Sequence, residues 1–173
     1  MKAVEDFYEG SELEGLRFAT NYYRWLYEEF RPYLRGRCLE IGAGTGTFSK
    51  FLLSSSVETL WCLEPAANLL PLLRSEVSKS GKPVKVIQAT LAQFVASAPE
   101  PFDCLVCVNV LEHIEKDEEA MRQMHDLLKG GGHLCLFVPA LPWLYGSLDV
   151  QLVTIAVIRN AALKSWRGRL ALL

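Results

Sequence analysis

Leu39-Glu40-Ile41-Gly42-Ala43-Gly44-Thr45-Gly46-Thr47-Phe48-Ser49-Lys50-Phe51-Leu52 is the stretch that decides the fold. Cys38, Leu39 and Ile41 form a short apolar run suited to a buried strand, while Phe48, Phe51 and Leu52 recur at helical spacing beyond the glycines. The reading is strand, glycine turn, helix. Glycine takes a positive φ at such a turn without steric cost. Its missing Cβ lets a ligand lie against the backbone where the new helix presents unpaired N–H groups. This is the chemistry of a nucleotide-type site. From Gly42 the pattern is G-x-G-x-G, so Thr47 stands where the dinucleotide fingerprint G-x-G-x-x-G carries its third glycine, which demotes NAD as the ligand.

Composition sets the outer bounds. A chain of 173 residues fits one domain with a real core, and a formal net charge of −2 supplies no overall basic field for nucleic acid. Met1-Lys2 is not followed by the apolar core of a signal peptide, and no run reaches the roughly 18 apolar residues of a membrane span. The expectation is a cytoplasmic protein with no integral membrane span. The five cysteines, at 38, 62, 104, 107 and 135, fall in apolar segments that suit buried, reduced thiols. Cys104 and Cys107 lie three apart on an expected strand and so point to opposite faces, as core residues rather than a redox pair.

Outward from the glycine turn, strands and helices alternate. Before it, apolar and aromatic residues from Leu16 to Leu34 recur every three or four positions, predicting a leading helix that Pro32 ends or kinks, with Arg35-Gly36-Arg37 turning into the first strand. After it, Glu58–Glu64 predicts a second strand, with Pro65 in a first helical turn. Glu64 ends that strand near the roughly 20-residue offset at which nucleotide-binding α/β units place a ribose-binding acid. Residues 83–89 predict a third strand and Thr90 caps a short helix; residues 102–110 read as a central strand buried on both faces. A helix over 115–129 is stopped by Gly130-Gly131-Gly132, and residues 133–139 form a fifth strand followed by a loop over 140–149. His113 lies near the carboxyl edge of the sheet, where it can take a proton from a substrate hydroxyl or amine. His125 and His133 lack the spacing of a metal cluster, so no metal is expected.

Leu39 to Gly46 resembles the first motif of the class I S-adenosylmethionine-dependent methyltransferases, (Leu/Val)-(Asp/Glu)-hydrophobic-Gly-x-Gly-x-Gly. Leu111-Glu112-His113-Ile114 resembles the segment after the family's fourth motif, and Leu128 to Gly132 with the following apolar strand resembles the end of its cofactor half. The resemblance covers about residues 18 to 150. It implies a doubly wound, Rossmann-like parallel sheet with helices on both faces, forming an S-adenosylmethionine-binding domain over residues 1–150. It further implies Glu40 at the methionine end of S-adenosyl-L-methionine, Gly42, Gly44 and Gly46 as points of close backbone approach, and Glu64 on the ribose. Pro65, Thr90 and Leu91 would lie at the adenine, and Asn109, Val110 and Leu111 along the methyl-bearing side. Relatives often carry Asp at or near Thr90, so its hydroxyl or a backbone group would have to substitute. The implied reaction is methyl transfer to a small-molecule or lipid-like acceptor, with a truncated, non-catalytic cofactor-binding remnant and an NAD-dependent oxidoreductase as alternatives.

Residues 151–173 depart from this pattern, so the expected sheet lacks the C-terminal strands of a complete class I methyltransferase and leaves an edge through which copies could associate. Val153 to Ile158 is apolar and β-branched, and the basic stretch after it allows a membrane-binding amphipathic helix over 153–170. The favoured expectation is a frameshifted tail. Degenerate codons for Gln151 to Arg159, read one base out of frame, encode Ala-Ala-Gly-His-His-Arg-Arg-Tyr-Ser-Lys, which resembles the family's Gly-His-x-Arg-Arg-Tyr segment.

Overall fold

The computed structural model describes residues 20–97, 99–139 and 153–159. The chain runs through α1 (Thr20–Phe30), β1 (Arg35–Ile41), α2 (Ser49–Ser54), β2 (Ser56–Leu63), α3 (Leu70–Val77), β3 (Val84–Ile87), α4 (Leu91–Val95), β4 (Phe102–Val108), α5 (Asp117–Asp126), β5 (Leu128–Pro139) and β6 (Val153–Arg159). Six strands form one sheet in the order β3-β2-β1-β4-β5-β6. The first five run parallel and β6 pairs antiparallel with β5, Leu134 opposite Ile158 and Pro139 opposite Val153.

Strand alternation divides the core between two faces. Cys104 and Val106 of β4 join Cys38, Cys62 and Cys135 beneath α1, α2 and α3, which contribute Leu26, Phe30, Leu52 and Leu73. Leu105 and Cys107 face the other way, among Leu39, Leu134, Leu136 and the α4 and α5 residues Phe94, Met121 and Met124. Helices on both faces oblige the central strands to be apolar throughout, as the sequence of β4 requires. All five cysteines are free and fully buried, and Cys104 and Cys107 lie in different layers as expected. In α1, Tyr23, Leu26 and Phe30 form the buried stripe, and Pro32 sits in a 3-10 turn over Arg31–Tyr33 that ends the helix. Residues 16–19 of the expected leading helix lie outside the described residues, as do the loop at 140–149 and the tail beyond 159.

Several boundaries differ from expectation for identifiable reasons. Arg35-Gly36-Arg37 is the bulged start of β1 rather than a turn before it, because the Asp103 carboxylate accepts the Arg37 N–H at 2.9 Å. Pro65 does not open a helix: Glu64 Oε1 accepts the Ala66 N–H at 2.9 Å, residues 65 and 66 are irregular, a turn follows over 67–69, and Pro71 takes the first turn of α3 instead. The strand expected to reach Val110 stops at Val108, where Asn109 turns to φ 54°. Gly130-Gly131-Gly132 does not follow the helix but belongs to β5, whose pairing with β4 jumps from Leu128 to His133 across a bulge. The amphipathic-helix alternative is corrected over residues 153–159, which are extended and carry the sheet one strand past β5.

Candidate functional site

The strand order reverses between β1 and β4, so the chain leaves β1 toward α2 on one face and β4 toward α5 on the other, and a crevice is left above their carboxyl ends, the usual ligand position in open α/β sheets. The glycine turn enters it from β1. Ala43 N–H donates to the Leu63 carbonyl at 2.9 Å, Gly46 N–H donates to the Ala43 carbonyl at 2.9 Å, and Gly44 N–H donates to Glu64 Oε2 at 2.7 Å. Glu64, at the end of β2, thus holds the turn with one oxygen and Ala66 with the other. Each carboxylate oxygen retains a lone pair for a further donor. Gly42 has φ +70°, and a Cβ there would stand 2.3 Å from Val110 Cγ2. Gly46 is pressed against Leu73 and Glu76 of α3. Two of the three glycines are therefore required by the protein's own packing.

Two buried acids flank this turn. Glu40, 4% exposed, accepts the Ser49 hydroxyl at 2.5 Å, with the Cys62 thiol 3.8 Å away. Burial raises its carboxyl to about 7 against the opposing hydrogen bonds of Ser49 and Cys62, and the nearby charge of Glu64 adds to the rise. Glu64, 6% exposed, is also raised by burial, but its two backbone N–H donors favour the ionised form. Burial and the charge of Glu40 together push the Tyr23 phenol upward.

Of the residues singled out from sequence, Glu40, Gly42, Gly44 and Asn109 line the cavity between these walls. Glu64 borders it through the Gly44 amide. Gly46, Pro65, Thr90, Leu91, Val110, Leu111 and His113 are not among the lining residues. The Thr90 hydroxyl accepts the Gln93 N–H at 3.3 Å while Gln93 Oε1 accepts the Thr90 N–H at 2.8 Å, a capping box that uses one lone pair of the hydroxyl. Leu91 and Leu111 are buried in the core, Pro65 is half-buried and His113 is exposed. The sequence reading did not assign Tyr23, Thr45, Thr47, Phe48 and Val108 to the cavity. Tyr23 and Phe48 belong to the aromatic packing between α1 and the glycine turn, 5.8 Å apart, so a core stripe also supplies a cavity wall. Glu112 was also passed over; its Oε2 is buried and has no hydrogen-bond partner among the described residues.

A doubly wound sheet with a glycine turn after its first strand and a buried acid at the end of its second defines a nucleotide-binding α/β domain. The model of the family described as a methyltransferase domain matches residues 39–136, more than half of the 173-residue chain. The chain belongs to that family, which decides between the methyltransferase resemblance and the NAD-dependent alternative. The ubiquinone biosynthesis O-methyltransferase of Ruegeria pomeroyi is 33% identical over 102 residues, covering 59% of this chain and 40% of its own length. The protein of the same name from Proteus mirabilis is 29% identical over 98 residues, with 57% and 40% covered. The chain thus spans about two-fifths of the length of these curated relatives. Among solved structures, the N-methyltransferase NodS from Bradyrhizobium japonicum, in complex with S-adenosyl-L-homocysteine, superposes with a TM-score of 0.61 at 22% identity, covering 69% of this chain and 61% of NodS. The cyclopropane synthase MmaA2 from Mycobacterium tuberculosis gives a TM-score of 0.59 at 19% identity, with 69% and 42% covered. Both likenesses establish the Rossmann-like methyltransferase fold. Among the described residues no helix is long and apolar enough to cross a membrane, and no group of three or more His, Cys, Asp or Glu could hold a metal ion.

Proposed function

We propose that this chain binds S-adenosyl-L-methionine in the crevice between β1 and β4 and transfers its methyl group to a small-molecule or lipid-like acceptor in the cytoplasm. The observation that carries the reading is the pair of buried acids, Glu40 and Glu64, on either side of a glycine turn whose Gly44 lines the cavity. The donor set fits the cofactor. An ionised Glu40 suits an ammonium group, and the spare lone pairs of Glu64 suit a diol. Gly42 and Gly44 bring backbone to the cavity wall, and Val108 and Asn109 form its β4 side; Val110 and Leu111 would meet the methyl-bearing end only beyond that wall. The Thr90 hydroxyl gives one lone pair to its cap and keeps its O–H and a second lone pair, so adenine recognition would draw on that hydroxyl, on backbone groups near Thr90 and Leu91 and on the apolar surface around Pro65.

When bound, the cofactor supplies a methyl carbon already made electrophilic by its sulfonium. The protein then needs to exclude water, align the acceptor atom and receive a proton where the acceptor carries one. His113, exposed beside the β4 tip, is the candidate for that last role. Calorimetric titration with S-adenosylhomocysteine tests the site. Saturable binding by the wild type that Glu64→Gln weakens at least about tenfold, with an unchanged circular dichroism spectrum, supports the reading. A folded wild type that binds none overturns it, and binding without turnover over a panel of acceptors favours the cofactor-binding remnant.

A further inference from the structure

Asn109 is the sole non-glycine residue with a positive φ, 54°, among the described residues. It ends β4, lines the cavity and hands the chain to Val110, whose methyl group covers Gly42. Its backbone N–H donates to the Phe137 carbonyl at 3.1 Å. Its carboxamide faces Tyr22 of α1: Nδ2 donates to the phenolic oxygen at 3.2 Å, and the phenol lies 3.4 Å from Oδ1. Tyr22 is held edge-on against Tyr23 and Phe137, with ring centroids 5.1 and 5.5 Å away. A left-handed backbone persists in a non-glycine residue only where its surroundings hold it, and asparagine tolerates it best when its side chain is bonded locally. Here the bond comes from a different element, 87 positions away in sequence.

We infer that Tyr22 is a positioning residue for the cofactor site: its phenol pins Asn109 in the left-handed conformation, which sets Val110 against Gly42 and fixes the gap between the β4 tip and the glycine turn. The inference rests on reading the cavity as the cofactor site. Tyr22 does not line that cavity: its ring packs on Tyr23 of the cavity wall, and its hydroxyl reaches the site through Asn109, which is the part that Tyr22→Phe removes. Burial raises its hydroxyl to about 12 against the opposing Asn109 hydrogen bond, which keeps the proton on the phenol through the working pH range.

A double-mutant cycle on S-adenosylhomocysteine affinity tests this, because it separates the hydroxyl's action on Asn109 from general packing. Tyr22→Phe keeps the ring and is expected to weaken binding about tenfold in the wild-type background. In an Asn109→Gly background the left-handed backbone needs no support, and the same substitution should change affinity by less than about twofold. An equal loss in both backgrounds, or no loss in the first, overturns the inference while leaving the cofactor reading intact. A wild type that binds no S-adenosylhomocysteine overturns both. Should the double variant not fold, Asn109→Ala removes the other end of the same bond: it must weaken binding at least as much as Tyr22→Phe, and unchanged affinity overturns the inference.

Discussion

Two clusters of three glycines stand at opposite ends of this sheet. Gly42, Gly44 and Gly46 lie at the carboxyl edge between β1 and α2, while Gly130, Gly131 and Gly132 lie at the amino end of β5. In the first cluster, a Cβ at Gly42 or Gly46 would meet a neighbouring side chain at 2.3 or 3.0 Å, and two buried acids stand beside the turn. In the second, a Cβ at Gly130 or Gly131 would meet nothing within 4 Å, although Gly131 also has a positive φ of 81°, whereas Gly132 is buried and a Cβ there would stand 3.0 Å from the Asp103 carbonyl oxygen. Asp103 is the acid at that end: the Arg37 N–H and the Lys129 ammonium each approach it at 2.9 Å, in a half-exposed setting. Equal glycine content therefore has unequal causes. One cluster is constrained by close packing around a crevice; the other follows a bulge that is open at Gly130 and Gly131 and becomes packed only at Gly132, where it rejoins β4.

The sharpest way to break this comparison is Gly42→Ala. It places a methyl group on Val110 and puts a non-glycine residue at a left-handed φ, so we expect a loss of about 3 kcal/mol in urea unfolding. A loss below about 0.5 kcal/mol would mean that Val110 moves aside freely and that Gly42 is as open as Gly130.

A pH scan of unfolding should give the two ends opposite signs. The Glu40 carboxyl is raised from 4.5 to about 7, so its favourable contribution is complete below about 4.5 and disappears as pH climbs through about 7. Glu40→Gln should flatten that fall, which amounts to roughly 3 kcal/mol. At Asp103 burial pushes the carboxyl up, but the Arg37 N–H and Lys129 outweigh it and leave it below 3.8. Its contribution is present above that value and is lost as pH drops through the depressed value, so Asp103→Asn should differ from wild type near neutrality and converge with it in acid. Curves of the same sign for both variants would remove the electrostatic half of the contrast. The smallest effect is expected at Gly130→Ala, a stabilisation of about 0.5 kcal/mol from restricting the unfolded chain at an uncrowded position. Destabilisation there would show that the second cluster is packed at its start as well as at Gly132.

What could be read from sequence followed the range of each cause. The strand, glycine turn and helix around Gly42, the acid at Glu64 and the Thr90 cap rest on neighbours a few residues apart, and the structure has them as expected. Pro65 was misplaced because proline suits a first helical turn wherever it falls; the Glu64–Ala66 hydrogen bond decided that Pro71 would take the role. The glycines at 130–132 read locally as a helix stop, and only pairing with β4 shows that they bulge within a strand. Val153 to Ile158 was recognisably β-branched, but its partner in β5 lies outside any local pattern. The same holds for the cavity. Glu40, Gly42 and Gly44 come from one motif, whereas Tyr23 and the Tyr22–Asn109 contact depend on α1 folding back over a strand tip far along the chain.

The buried cysteines give the molecule an internal recorder of its own opening. Cys38 lies in β1, Cys62 in β2, Cys104 and Cys107 in β4, and Cys135 in β5, each with zero exposure. Burial also raises the thiols of Cys62, Cys107 and Cys135, which suppresses the reactive thiolate while the sheet is closed. A thiol reagent therefore meets each one only when its strand is uncovered. Pulsed alkylation resolved by mass spectrometry would date the exposure of four strands separately in a single unmodified chain, and simultaneous labelling at all five positions would mean that the sheet opens as one unit.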